Sequence, residues 1–130
     1  MIYLDSSVAL AAILAEDHTP PDDLWQQTLV SSRLLEFEVI NRLNAYAAAD
    51  DVIATAQNLI AGLTLIELAP TVLTRALQPF PKPVRTLDAL HLATAHYLAE
   101  RAPNLTLATY DHRMAEAAHL IGLTVSEPQA

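Results

Sequence analysis

Apolar and polar positions change rhythm several times along the chain. Ile2-Tyr3-Leu4 is a short apolar run, followed by Asp5-Ser6-Ser7 and an alanine- and leucine-rich stretch to about residue 15. That order predicts a strand, a cap and a helix. Pro20-Pro21-Asp22-Asp23 breaks the pattern and predicts a short helix passing Trp25 and Leu29. Residues 30–32 predict a second strand, with Ser32 capping a helix from Arg33 to about residue 49. Asp50-Asp51 is expected to cap a further helix that reaches Ile60 and ends at Gly62. Residues 63–68 are strand-like, and Pro70 opens a helix to Leu77. Pro79, Pro81 and Pro83 mark an exposed loop; Thr86 is expected to cap a long helix to Arg101, stopped by Pro103. Residues 105–109 predict a strand, Asp111 caps a helix ending at Gly122, and residues 123–125 close with a short strand.

Strands alternate with helices throughout, which predicts an α/β fold: a short central parallel sheet with helices on both faces. The 130 residues carry no repeat and no low-complexity tract, and are expected to form a single domain over 1–130.

Composition narrows the chemistry. Two glycines, Gly62 and Gly122, leave no glycine-rich phosphate cradle. The absence of cysteine removes disulfides, thiolate metal sites and a cysteine nucleophile, and suits a reducing cytoplasm. The apolar stretch from Val8 to Ala15 is too short to span a bilayer, and Asp5 stands where a signal peptide would carry basic residues, so no membrane association is expected. The formal net charge of −8 argues against a general basic surface for nucleic acid. A polyanionic ligand would need metal ions or a local basic patch.

Candidate chemistry lies in the acids. Asp5 follows the first predicted strand and Asp111 the fourth, and in open parallel sheets ligands bind beyond the carboxyl ends of the strands. Asp88 sits in the first turn after Thr86, where a carboxylate also suits the helix dipole. The three aspartates are either separate caps or one convergent site, and spacing alone does not choose. On the helix from Arg33, Leu35, Val39, Leu43 and Tyr46 form the apolar stripe, and Glu36 and Glu38 fall on its flanks. A Glu38–Arg42 ion pair is the bland alternative for that face. Glu116 and His119 make one Glu-x-x-His without the second copy that a di-iron site needs, and His91 and His96 read by default as packing residues.

Four segments in order resemble the PIN domain family. They are Ile2-Tyr3-Leu4-Asp5-Ser6-Ser7-Val8, Ser32 with Glu38 six residues later, Leu87-Asp88-Ala89-Leu90-His91-Leu92-Ala93-Thr94-Ala95, and Ala108-Thr109-Tyr110-Asp111-His112-Arg113. The size resembles the VapC toxins of bacterial toxin–antitoxin pairs. The resemblance implies a metal-dependent endoribonuclease with catalytic acids Asp5, Glu38, Asp88 and Asp111. It further implies that Asp5, Asp88 and Asp111 hold Mg²⁺, with Mn²⁺ able to substitute, and that Ser7 and Thr109 support the site. Glu36 replaces Glu38 if the second segment is read two residues early; the two point about 160° apart on the helix, so at most one faces the cluster. Arg33, Arg42, Arg85 and Arg113 are candidates for phosphate contacts.

The resemblance also implies a VapB-like antitoxin, an RNA substrate, DNA reached only through the antitoxin, and a homodimer within the complex. Leu10, Ile13, Leu14, Leu34, Phe37 and Tyr46 offer apolar surface for such a partner, whose arginine could enter the acidic site. Two other readings remain open. One is a PIN-like docking module without catalysis; the other is a different acidic-pocket phosphate-transfer enzyme, which would need a second acid close to the first or a nucleophilic aspartate with a nearby lysine, whereas Asp5 is followed by Ser6-Ser7-Val8 and the only lysine, Lys82, lies in the proline loop.

Overall fold

The computed structural model describes residues 1–16 and 18–129. Five strands form one sheet in the order β3-β2-β1-β4-β5: β1 Ile2–Leu4, β2 Leu29–Ser32, β3 Thr64–Ile66, β4 Thr106–Ala108 and β5 Thr124–Ser126. Every pairing is parallel, with Tyr3 opposite Val30 on one side and Leu107 on the other. Among the described residues the α-helices are α1 Ser6–Leu14, α2 Leu34–Ala45, α3 Asp50–Ala61, α4 Pro70–Ala76, α5 Thr86–Arg101 and α6 His112–Leu120. The α/β architecture expected from the alternating pattern is the one found.

Side chains alternate across a strand, so neighbouring strand residues enter different cores. Leu4, Leu29 and Ala108 join Val8, Leu35, Val39, Leu43 and Ile60 on the face covered by α1, α2 and α3. Tyr3, Val30 and Leu107 join Leu92, Met114 and Leu123 on the face covered by α5 and α6. The central strand β1 therefore knits both layers. The chain leaves β1 toward β2 and later returns to its other side as β4. That reversal opens a crevice at the carboxyl ends of β1 and β4.

Several expected boundaries move, each for a backbone reason. Helix α2 stops at Ala45, not near residue 49. Ala47 takes φ 51°, and Ala48 N–H bonds back to the Leu43 carbonyl at 3.0 Å, a left-handed termination that a continuing helix forbids. Tyr46 consequently leaves the apolar stripe and is 59% exposed. Asp50 and Asp51 lie in the first turn of α3; Ala49 holds the cap position, because its carbonyl accepts the first helical bonds. Thr86 is likewise inside α5, since Ala89 N–H reaches the Arg85 carbonyl at 2.9 Å. The segment after Pro21 forms a 3-10 helix, Asp22–Gln26, and Leu29 already belongs to β2. Ser32 does contribute a cap contact: its hydroxyl accepts Leu34 N–H at 3.1 Å.

Candidate active site

Asp5 ends β1 at the cap position of α1, yet its side chain makes no cap hydrogen bond. The carboxylate turns instead toward β4. Its Oδ2 accepts Ser7 Oγ–H at 2.6 Å and Thr109 Oγ1–H at 2.8 Å. The two hydroxyls are themselves fixed, because Ser7 Oγ accepts Tyr110 N–H at 3.0 Å and Thr109 Oγ1 accepts Asp111 N–H at 3.0 Å. Asp5 is 4% exposed. Two hydroxyl hydrogen bonds fix one oxygen of the carboxylate and leave the other uncommitted.

Asp111 caps α6 in the ordinary way, with Oδ1 accepting Arg113 N–H at 2.9 Å and Met114 N–H at 3.2 Å. Asp88 lies half-buried in the first turn of α5. Burial, then the charges of Asp111 and Asp5, lift its carboxyl above the ordinary aspartate value. Caps and convergence thus coexist. Asp5, Asp88 and Asp111 line one cavity of about 270 Å³ with Ser7 and Tyr110. A neighbouring cavity of about 620 Å³ is lined by Glu38, Arg42, Arg85, Asp88, Asp111 and Arg113. Asp88, Asp111 and Arg42 belong to both, so the four acids and three arginines border one continuous depression.

Glu38, on α2, faces this depression. One oxygen meets His91 Nε2 and the other accepts Ser6 Oγ–H at 3.3 Å. Glu36 points elsewhere, pairing with Arg33 at 3.4 Å and lining an apolar groove with Phe37 and Ile60. Arg33 does not reach the depression. Its guanidinium binds Glu67 at 2.7 and 2.9 Å, beyond the end of β3, which removes it from the phosphate-contact candidates. No Glu38–Arg42 pair forms among the described residues: Arg42 Nε donates to Tyr46 Oη at 3.1 Å.

His91 is fully buried, as a packing residue would be, but it also touches Glu38, and its Nδ1 lies 2.8 Å from Tyr3 Oη. Burial opposes a charged ring. The hydrogen bond to Glu38 and the charges of Glu38, Asp5 and Asp88 outweigh it, so the pKa stands above the usual histidine value. Sequence reasoning missed this link, although the Asp88-x-x-His91 spacing, which puts both side chains on one side of a helix, was a usable signal. His96 sits 3.5 Å from Glu100 at the surface. Glu116 pairs with Lys82 and His119 is exposed, so that Glu-x-x-His forms no site, and no lysine borders Asp5.

Among the described residues no three acidic or histidine side chains cluster tightly enough to hold an ion unaided. The donor set suits a hard cation that keeps part of its water shell: carboxylates only, one with a free oxygen, another strained by like charges. Among those residues, too, no helix is long and apolar enough to cross a membrane.

A family model described as PIN domain matches residues 2–120. Ribonuclease VapC35 of Mycobacterium tuberculosis is 31% identical over 134 residues, covering 98% of this chain and 97% of that protein. Ribonuclease VapC46 of the same species is 35% identical over 133 residues, with 98% and 97% covered. The crystal structure of Mycobacterium tuberculosis VapC20, a Sarcin-Ricin loop cleaving toxin, matches with TM-score 0.71 at 17% identity, covering 98% of this chain and 100% of that one. VapBC2 from Rickettsia felis, bound to a DNA fragment from their promoter, matches with TM-score 0.70 at 17% identity over 97% and 98%.

Proposed function

The chain belongs to the PIN domain family, and from that premise we propose that it is a metal-dependent endoribonuclease, the toxin of a toxin–antitoxin pair. One observation carries the reading: Asp5, Glu38, Asp88 and Asp111, from four different parts of the chain, border a single depression rimmed by Arg42, Arg85 and Arg113. Relatives of matching length that carry the name ribonuclease support the same activity.

The catalytic assignments follow from what each side chain can do. Asp5, Asp88 and Asp111 would hold Mg²⁺, or Mn²⁺ in its place. When bound, that ion supplies positive charge against the scissile phosphate and the charge developing on it. Ser7 and Thr109 hold Asp5 in position. Glu38, whose carboxylate borders the cavity, takes the proton released when water attacks phosphorus and the bond to the leaving sugar oxygen breaks. Arg42, Arg85 and Arg113 contact RNA phosphates, giving a chain of net charge −8 a local basic rim.

The proposal extends to a VapB-like antitoxin that restrains the enzyme, DNA contacted only through that partner, a homodimer in the complex and a cytoplasmic location. Phe37 and Tyr46, 58% and 59% exposed, leave apolar surface beside α2 for such contacts. Of the other apolar side chains considered for this role, Leu10, Ile13 and Leu14 pack partly buried against the core, and Leu34 is likewise half-buried.

RNA cleavage by the purified chain, lost on chelation and restored by Mn²⁺, tests the activity. Asp5→Asn should remove cleavage while the fold persists. Cleavage that survives chelation overturns the metal role. Light scattering of the chain, alone and co-expressed with a partner, tests the assembly.

A further inference from the structure

One imidazole lies sealed beneath the acidic depression. His91 is 0% exposed, and its two ring nitrogens face different layers of the protein. Nδ1 is 2.8 Å from Tyr3 Oη, on the middle strand, and Nε2 meets Glu38 Oε1, on α2. An ionised carboxylate has no hydrogen to give, so the hydrogen in the second contact belongs to Nε2. In the neutral ring Nδ1 is then a bare acceptor, and Tyr3 O–H fills it. In the charged ring Nδ1–H donates to Tyr3 Oη. Both protonation states leave Nε2–H on Glu38.

We infer that Tyr3 and His91 are a buried positioning pair that aims Glu38 into the cavity. This rests on the ribonuclease reading of that cavity. A glutamate has several rotatable bonds, and the second anchor of Glu38, Ser6 Oγ at 3.3 Å, is long. The buried N–H therefore sets the carboxylate's direction. Charged or titratable groups facing His91 are Tyr3 and Asp5 from β1 and its end, Glu38 from α2 and Asp88 from its own helix.

Two measurements test the pair. In the ¹⁵N-histidine-labelled full chain, His91 should show a slowly exchanging Nε2–H resonance at neutral pH that shifts in Glu38→Gln. An Nε2 without a hydrogen overturns the inference whether or not RNA is cleaved. The kinetic measurement uses substitutions of different reach. His91→Asn keeps a polar atom toward Tyr3 but is too short for Glu38, and should lower kcat about tenfold with KM little changed. His91→Gln reaches Glu38 with an N–H and should recover most of that loss. Equal losses in both, or a loss confined to KM, overturn the positioning role. If His91→Asn fails to fold, Tyr3→Phe replaces it: the ring packs as before, and faster Nε2–H exchange with lower kcat is expected. A wild-type chain that cleaves no RNA under any metal rejects the ribonuclease reading, while the resonance still decides the hydrogen bond.

Discussion

Thr109 Oγ1 donates a 2.8 Å hydrogen bond to Asp5 Oδ2 across 104 residues of sequence. It laces the carboxyl end of β4 to that of β1, where the chain reverses direction across the sheet. The same hydroxyl accepts Asp111 N–H, so one oxygen sets two of the acids. Thr109→Val keeps the shape and deletes both bonds. Because Thr109 is buried, about 1–3 kcal/mol of stability should be lost, read by chemical denaturation. Cleavage should fall about tenfold as Asp5 loosens. A destabilised variant that cleaves at the wild-type rate would confine the hydroxyl to folding.

Glu38 and Glu36 separate cleanly. Glu38 borders the acidic depression and bonds to His91, whereas Glu36 binds Arg33 at the surface. Glu38→Gln should lower kcat by about a hundredfold, the scale of a lost proton acceptor. Glu36→Gln should stay near the wild-type rate, losing at most the few tenths of a kcal/mol of an exposed pair. The reverse ranking would place the catalytic acid on the other flank of α2.

Asp88 makes stability depend on pH in a definite direction. Its pKa is raised in the fold, first by burial and then by Asp111 and Asp5. The folded state therefore binds that proton more tightly than the unfolded chain. The stability this gives is fully present below the unfolded aspartate value and is lost as pH rises through the folded value. At neutral pH without metal, Asp88→Asn should melt a few degrees higher than wild type. The gap should close as pH falls through the carboxylate range. Divalent metal should raise the melting temperature of wild type and leave that of Asp88→Asn nearly unchanged. A variant that melts lower than wild type in metal-free neutral buffer would show that the crowding is relieved some other way.

The fold was legible in local rhythm, because strand runs, caps and breakers each act within a few residues. The helix stop at Ala45 was not: Ala47, the left-handed residue just beyond it, is an alanine and carries none of glycine's signal. Asp5, Asp88 and Asp111 could be placed at element starts, but their convergence depends on how β1, β4 and α5 stack, which spacing does not encode. The ordered PIN-like segments filled that gap. Glu38 could not be told from Glu36 by amphipathicity, since both flank the stripe. A buried partner on another helix, His91, distinguishes them. Arg33 looked as available as the other arginines until Glu67, from beyond β3, claimed it.

That difference among arginines yields a last expectation. Arg42, Arg85 and Arg113 border the cavity, while Arg33 spends its guanidinium on Glu67 and Glu36. An arginine that touches a phosphate of single-stranded RNA displaces counterions, so each such contact steepens the decline of log affinity with log salt by about 0.7. Arg85→Gln and Arg113→Gln should each raise KM and flatten that slope by about one contact's worth. Arg33→Gln should leave the slope alone, because its charge is already balanced by two carboxylates. Arg42 is the intermediate case: it borders both cavities but also donates to Tyr46, so a substitution there disturbs the end of α2 as well. Binding to an uncleaved RNA with the Asp5→Asn protein, measured across a salt series, separates these effects from chemistry. If all four substitutions flatten the slope equally, the RNA responds to the protein's overall charge and the three-arginine rim has no special place.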